Sequence, residues 1–393
     1  MNNLVYFAFM LYIYDYICET QICAMNPFIT NTYKGPAYFI DRKTETETLI
    51  EAIENERNLT LFSHRRLGKT MLLHHTFSQL DQKRYTTLFI DLFATRNLVH
   101  FAQKMSEVLY EKKILHQNRF SKILGSLGAS VSFDPLTGNP QVNFNITERS
   151  AVLKSIPQIF KLLIGSKKKI IIALDEFQEV SHYDEKFAEA SIRTLMQDFP
   201  EIVFLFSGSQ KSMMREIFTG ANRPFFQSTQ MMELHAIKQD TYERDIYHIL
   251  DEFKKKYNPL VIKQILSDTY CHTGFTQMVL SRVFSESEGE IDFPLYDQVW
   301  SNILENYKSM AREQEFLLPK LQWKTLIAIA REGFVRAPQS RAFSEKYHLS
   351  APSSMSRAIK ALLDKGMIID CGKNGLRVYN VFIEKNLKSF PYD

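Results

Sequence analysis

Two short stretches hold residues whose types and spacing can do chemistry. In "LFSHRRLGKTMLL" (61–73), Ser63 opens and Gly68, Lys69 and Thr70 close a segment spaced like G-x-x-x-x-G-K-[ST]. A loop of this kind turns successive backbone N–H groups, and the N-terminal end of the next helix, toward an anion. Gly68 lets the backbone come close to phosphates, Lys69 brings a point charge to their oxygens, and the Thr70 hydroxyl joins a Mg²⁺ shell. Ser63 stands where the pattern has glycine, and it is small enough to support the turn. Arg66, Leu67 and Met71 complete the expected nucleotide-binding stretch. The second stretch, "IIIALDEF", sets Asp175 and Glu176 at the C-terminal end of an apolar run, where ligands of open α/β sheets bind. Asp175 is the expected metal ligand, and Glu176 could polarise an attacking water as a general base. Two acidic residues could simply end a strand; together with the upstream Gly-Lys-Thr they point to nucleotide hydrolysis rather than small-molecule phosphorylation. A third run ends in "SGSQ" (207–210). There Ser209, or failing it Ser207, could sense a γ-phosphate or hold the water, unless the stretch is only a strand-end turn.

These residues need a scaffold, and the sequence supplies one. "NLTLF" (58–62), "YTTLFIDLF" (85–93), "KKKIIIALDEF" (167–177), "EIVFLFSGS" (201–209) and "QMMELHAI" (230–237) read as strands separated by helical patterns. Apolar runs alternating with helices predict a parallel α/β sheet covered on both faces. "ASVSFDPLTGNPQVNFNI" (129–146) alternates apolar and polar residues around a Pro/Gly/Asn turn, which predicts an inserted hairpin. It is either a surface excursion or a partner-contacting element. Beyond about residue 240 the patterns are helical, and near Leu317 they change again. The expected divisions are an N-terminal extension (1–25), a nucleotide-binding core (26–240), a helical segment (241–316) and a C-terminal module (317–393).

The C-terminal module reads as three helices followed by a hairpin around "GKNG", a winged helix. Its third helix sets Met355, Ile359, Leu362 and Leu363 on one face and Ser353, Ser356, Arg357 and Lys360 on the other. The second face suits a major groove, with Lys373 and Arg377 of the wing meeting phosphates. A protein-contact role for the same module stays open.

Composition sets limits. At 393 residues the chain should hold two or three domains, and 45% hydrophobic with 23% charged side chains is ordinary for a globular protein. The net charge of +4 is too slight to name a partner. From Lys320 onward, however, 13 Lys and Arg face 6 Asp and Glu, a weak sign of nucleic acid. Four scattered cysteines (Cys18, Cys23, Cys271, Cys371) form no C-x-x-C, which argues for a reducing cytosol and against a zinc site. The N-terminal apolar run from Leu4 to Tyr14 stops at Asp15, short of a bilayer span, and lacks the basic start of a signal peptide. It is expected either to form a peripheral or packed helix or to precede a natural start at Met25.

The ordered set "YFIDRKTETETLIEAI", "LTLFSHRRLGKTMLL", "LFIDLF", "IIIALDEFQEV", "FLFSGSQKSMMREIF", "NRPFFQST" and "ELHAI" closely resembles the archaeal-type ATPase family, an AAA+-related branch of the signal-transducing STAND NTPases. The resemblance runs from about Asn26 to the C-terminus. It implies a P-loop NTPase core of the AAA+/ASCE kind with strand order 5-1-4-3-2, a helical lid, and ATP with Mg²⁺ as cofactors. The family's loop varies at its opening position and favours "RRxGKT", which accommodates Ser63 and Arg66. By the same resemblance Arg223 in "NRPFF" is either an arginine finger or a structural salt bridge. Adenine over guanine rests on the resemblance alone. Duplex DNA, a protein partner and a homo-oligomer remain open.

Overall fold

The computed structural model describes residues 26–30, 32–113, 124–125, 129–144, 149–164 and 167–392. The readings of the N-terminal extension therefore lie outside the described residues. The described residues divide into two compact units, one of residues 32–236 and one of residues 237–392 together with residues 26–30.

The first unit is built on a five-stranded sheet. Helix α1 (Lys43–Glu54) precedes β1 (Leu59–Phe62), and α2 (Lys69–Gln79) follows it. Then come β2 (Tyr85–Asp91), α3 (Leu98–Glu111), a hairpin of β3 (Ala129–Phe133) and β4 (Pro140–Phe144), and α4 (Arg149–Ile164). Next are β5 (Lys169–Asp175), a 3-10 turn (Phe177–His182), α5 (Ala188–Asp198), β6 (Val203–Gly208), α6 (Lys211–Thr219) and β7 (Gln230–Glu233). The strands lie in the order β2-β5-β6-β1-β7, and every pairing is parallel. In core-strand numbering this is the expected 5-1-4-3-2.

The unbroken apolar strands follow from having two cores to fill. Ile170, Ile172 and Leu174 of β5, with Phe204 and Phe206 of β6, enter the core formed with α3, α4, α5 and α6. Their neighbours Ile171, Ala173, Val203 and Leu205 enter the opposite core with α1 and α2. Side chains alternate across a strand, so only a continuous apolar run serves both faces. The predicted hairpin is present, with Ala129 opposite Phe144 and Phe133 opposite Pro140.

The second unit is mostly helical. It contains α7 (Gln239–Glu252), α8 (Pro259–Asp268), α9 (Thr273–Glu286) and α10 (Phe293–Leu317). Two-residue strands β8 (Lys256–Tyr257) and β9 (Glu290–Ile291) pair in parallel, a feature too short to leave an alternating pattern. The C-terminal part has α11 (Lys320–Glu332), α12 (Arg341–Lys346), α13 (Pro352–Asp364), β10 (Ile368–Asp370), β11 (Leu376–Val378) and α14 (Val381–Lys388). β10 and β11 pair antiparallel, and a bridge from Val335 to Leu376 adds a third short rung, giving the expected helices and wing. Helix α14, which the winged-helix pattern did not call for, packs against the helical segment. Phe382 meets Phe275, Trp300 and Tyr307 at ring-centroid distances of 5.0–5.5 Å. Lys385 pairs with Asp268 at 2.6 Å, and Asn386 donates to the Leu304 carbonyl at 2.9 Å. No helix among the described residues is long and apolar enough to cross a membrane.

Candidate nucleotide site

The C-terminal ends of β1, β5 and β6 carry the residues singled out from sequence as the candidate site. After β1 the chain turns through the loop to Gly68, whose φ of 97° is a left-handed conformation that a side chain would strain. Lys69 begins α2, and no side chain caps that helix start. Arg66 is exposed at φ 55°, whereas Leu67 is buried in the core under α2 and offers the loop its backbone. Met71 is half-buried one residue past Thr70. Arg42, which carried no predicted role, braces the loop. It is buried, donates to the Leu67 carbonyl at 3.2 Å, and pairs with Glu45 at 2.8 Å.

Lys69 is 5% exposed, and its ammonium donates to Ser63 Oγ and the His64 carbonyl, both at 3.2 Å. Burial pushes it below the ordinary lysine range, against the pull of Glu176 and Asp175. Thr70 Oγ1 donates to Asp175 Oδ2 at 2.7 Å, although the two residues are far apart in sequence. A hydroxyl and a carboxylate in contact beside a phosphate loop are the hard-oxygen pair that suits Mg²⁺. Asp91 ends β2 directly opposite Asp175 and adds a third carboxylate. Burial, with Asp175 and Glu176, raises it above the ordinary range. Its sequence signal was the Asp that closes "LFID".

Glu176 has left-handed φ 53° and swings out of β5 into the 3-10 turn. Phe177 anchors that turn among Phe206, Phe218 and Phe225, with ring centroids 4.6–5.7 Å apart. The Glu176 carboxylate is held by two donors to one oxygen. Ser209 Oγ donates to Oε2 at 2.7 Å and Gln178 Nε2 donates to it at 2.5 Å. Of the two candidate serines, Ser209 thus reaches the site. Ser207 is fully buried, and its hydroxyl has no hydrogen-bond partner among the described residues.

Other site residues fall elsewhere. Arg223 donates to Glu189 Oε1 at 2.7 Å and Ser181 Oγ at 3.0 Å, with Glu216 at 3.7 Å. These contacts are those of a structural salt bridge, one of the two readings of this residue. On α13, Ser353, Arg357 and Lys360 are exposed, as is Lys373 in the wing. Two expectations fail there. Arg377 is 4% exposed, lies over the Tyr270 ring at 4.6 Å and donates to the Val378 carbonyl at 3.0 Å. It therefore cannot follow a DNA backbone. Leu363 is 37% exposed, because the apolar stripe packed against α11 ends at Leu362.

This fold and site define a P-loop nucleoside triphosphatase carrying a C-terminal winged helix. Residues 39–258 match the family described as "ATPase domain predominantly from Archaea", and the chain belongs to that family. Residues 307–389 match a second model, "probable winged helix domain". Among solved structures the chain is similar to a Walker-type ATPase of Pyrococcus abyssi, at 16% identity and TM-score 0.64, covering 92% of this chain and 99% of that one. It is also similar to the ORC2 protein of Aeropyrum pernix in ADPNP–ADP complexes, at 14% identity and TM-score 0.53, covering 93% and 98%. At such identities the likeness speaks to fold. A search of curated proteins finds no match. The chain binds and hydrolyses nucleotide as an ATPase of this family.

Proposed function

We propose that this protein is a cytoplasmic, Mg²⁺-dependent ATPase whose nucleotide state sets the disposition of core, helical lid (241–316) and winged helix (317–393). One observation carries the reading: the Glu176 carboxylate is fixed beside the Thr70–Asp175 pair and the buried Lys69. In this reading the loop amides and Lys69 hold the phosphates. Thr70 and Asp175 hold Mg²⁺, which when bound neutralises charge on the β and γ oxygens. Glu176 takes the proton of the attacking water. The exposed Ser353, Arg357, Lys360 and Lys373 favour duplex DNA as the winged helix's partner. Docking to a protein, or to a second copy of the chain, is the competing outcome.

Phosphate release by wild type and Glu176→Gln, with and without duplex DNA, tests the proposal. The variant should keep ATP binding and lose about 10²–10⁴-fold in turnover. Negligible turnover by wild type under every condition would favour a regulator whose nucleotide is structural.

A further inference from the structure

Gln178 lies two residues past Glu176, in a turn whose other buried side chains, Phe177 and Val180, are apolar. It is 1% exposed, yet every polar atom of its amide is used. Nε2 donates to Glu176 Oε2 at 2.5 Å and lies 3.4 Å from Glu179 Oε1, while Oε1 accepts from the Ser209 N–H at 3.3 Å. The orientation is determined by chemistry. A flipped amide would aim its carbonyl oxygen at two carboxylates and its NH₂ group at an N–H. Space for it comes from Gly208, where an added Cβ would stand 2.5 Å from Gln178 Oε1. Ser209 closes the arrangement by donating its hydroxyl to the same Glu176 oxygen at 2.7 Å.

We propose that Gln178 is a positioning residue for ATP hydrolysis: with Ser209 it clamps Oε2 of Glu176 and ties that carboxylate to the end of β6. The clamp occupies Oε2 and directs Oε1 to the water. It also makes the carboxylate's position depend on where β6 ends, so a shift of Ser209 moves the base. Ser209 then acts on Glu176 rather than on the γ-phosphate. The proposal rests on the reading of Glu176 as the general base.

The test uses the full chain and four variants: Gln178→Met, Ser209→Ala, Glu176→Gln and the double variant Gln178→Met with Glu176→Gln. Binding of fluorescent ATP and ADP analogues is measured beside single-turnover hydrolysis. Methionine keeps the volume of Gln178 and removes both polar groups. It should leave analogue affinities within about twofold while slowing hydrolysis by about 10–100-fold, the scale of a base displaced by a fraction of an ångström. In the Glu176→Gln background the same change should slow hydrolysis no further, since nothing is left to position. If Gln178→Met does not fold, Ser209→Ala carries the test: it should slow hydrolysis without changing the preference for ATP over ADP. A wild-type rate in Gln178→Met, or an equal loss in both backgrounds, overturns the clamp while leaving Glu176 as base. Loss of ATP preference in Ser209→Ala overturns it in favour of phosphate sensing. A wild-type rate in Glu176→Gln removes the base itself, and the clamp falls with it.

Discussion

Replacing Arg377 with alanine should weaken the second unit without touching any DNA contact. Arg377 is 4% exposed, and its guanidinium lies 4.6 Å over the Tyr270 ring centroid and donates to the Val378 carbonyl at 3.0 Å. Tyr270 in turn donates to Glu384 at 2.9 Å, and Lys388 pairs with that fully buried carboxylate at 2.9 Å. A desolvated cation–π contact contributes about 2 kcal/mol. A charged hydrogen bond contributes about 1.5 kcal/mol. Because one side chain makes both, the expected loss is about 3 kcal/mol rather than the full sum. The chain has 2 tryptophans, Trp300 and Trp323, and both lie in this unit, so their fluorescence follows its unfolding alone. With a urea slope of about 2 kcal/mol/M, the midpoint should fall by about 1.5 M. Lys373→Ala, at an exposed wing position, should leave the midpoint almost unchanged. A midpoint for Arg377→Ala within about 0.3 M of wild type would refute the burial argument, since a slope of that size would then correspond to well under 1 kcal/mol.

Lys69→Ala should weaken binding of a fluorescent ATP analogue by well over tenfold, about 1.4 kcal/mol or more, and an unchanged Kd would remove the phosphate-loop assignment. If the winged helix binds duplex DNA, Lys373→Ala should make the slope of log K against log salt shallower by about 0.9, while Arg377→Ala should leave that slope alone. Burial alone would raise the Asp268 carboxyl, but hydrogen bonds from Lys385, Gln264 and Tyr296, with the Lys385 charge, together hold it below its ordinary range. Its stabilisation is therefore complete above the unfolded carboxylate pKa of about 3.9 and disappears as pH falls through the lower folded value. Acid unfolding followed by tryptophan fluorescence should accordingly be less steep in Asp268→Asn, and an identical acid limb would contradict the sign.

The candidate nucleotide site was legible because its signals are local. A loop that must expose amides and a lysine has fixed spacing, and an apolar strand ending in carboxylates marks the ligand edge of a parallel sheet. Ser63, Gly68, Lys69, Thr70, Asp175 and Glu176 could be named from those patterns, as could the strands and the wing. Tertiary structure alone decided which polar groups face inward. The 3-10 turn after β5 places Gln178 beneath Glu176, and the parallel pairing of β5 with β6 brings Ser209 to the same oxygen. Neither residue's spacing reveals that meeting, since Ser209 lies just past the end of a different strand. Arg377 read as a wing cation facing phosphates, and Arg42 carried no reading at all, yet each is buried where a carbonyl or an aromatic ring from another segment lies opposite. Periodicity records which face a residue occupies within its own element. What stands across from that face is set only when the elements pack, and for a polar side chain that neighbour determines whether it is a ligand, a brace or a solvated charge.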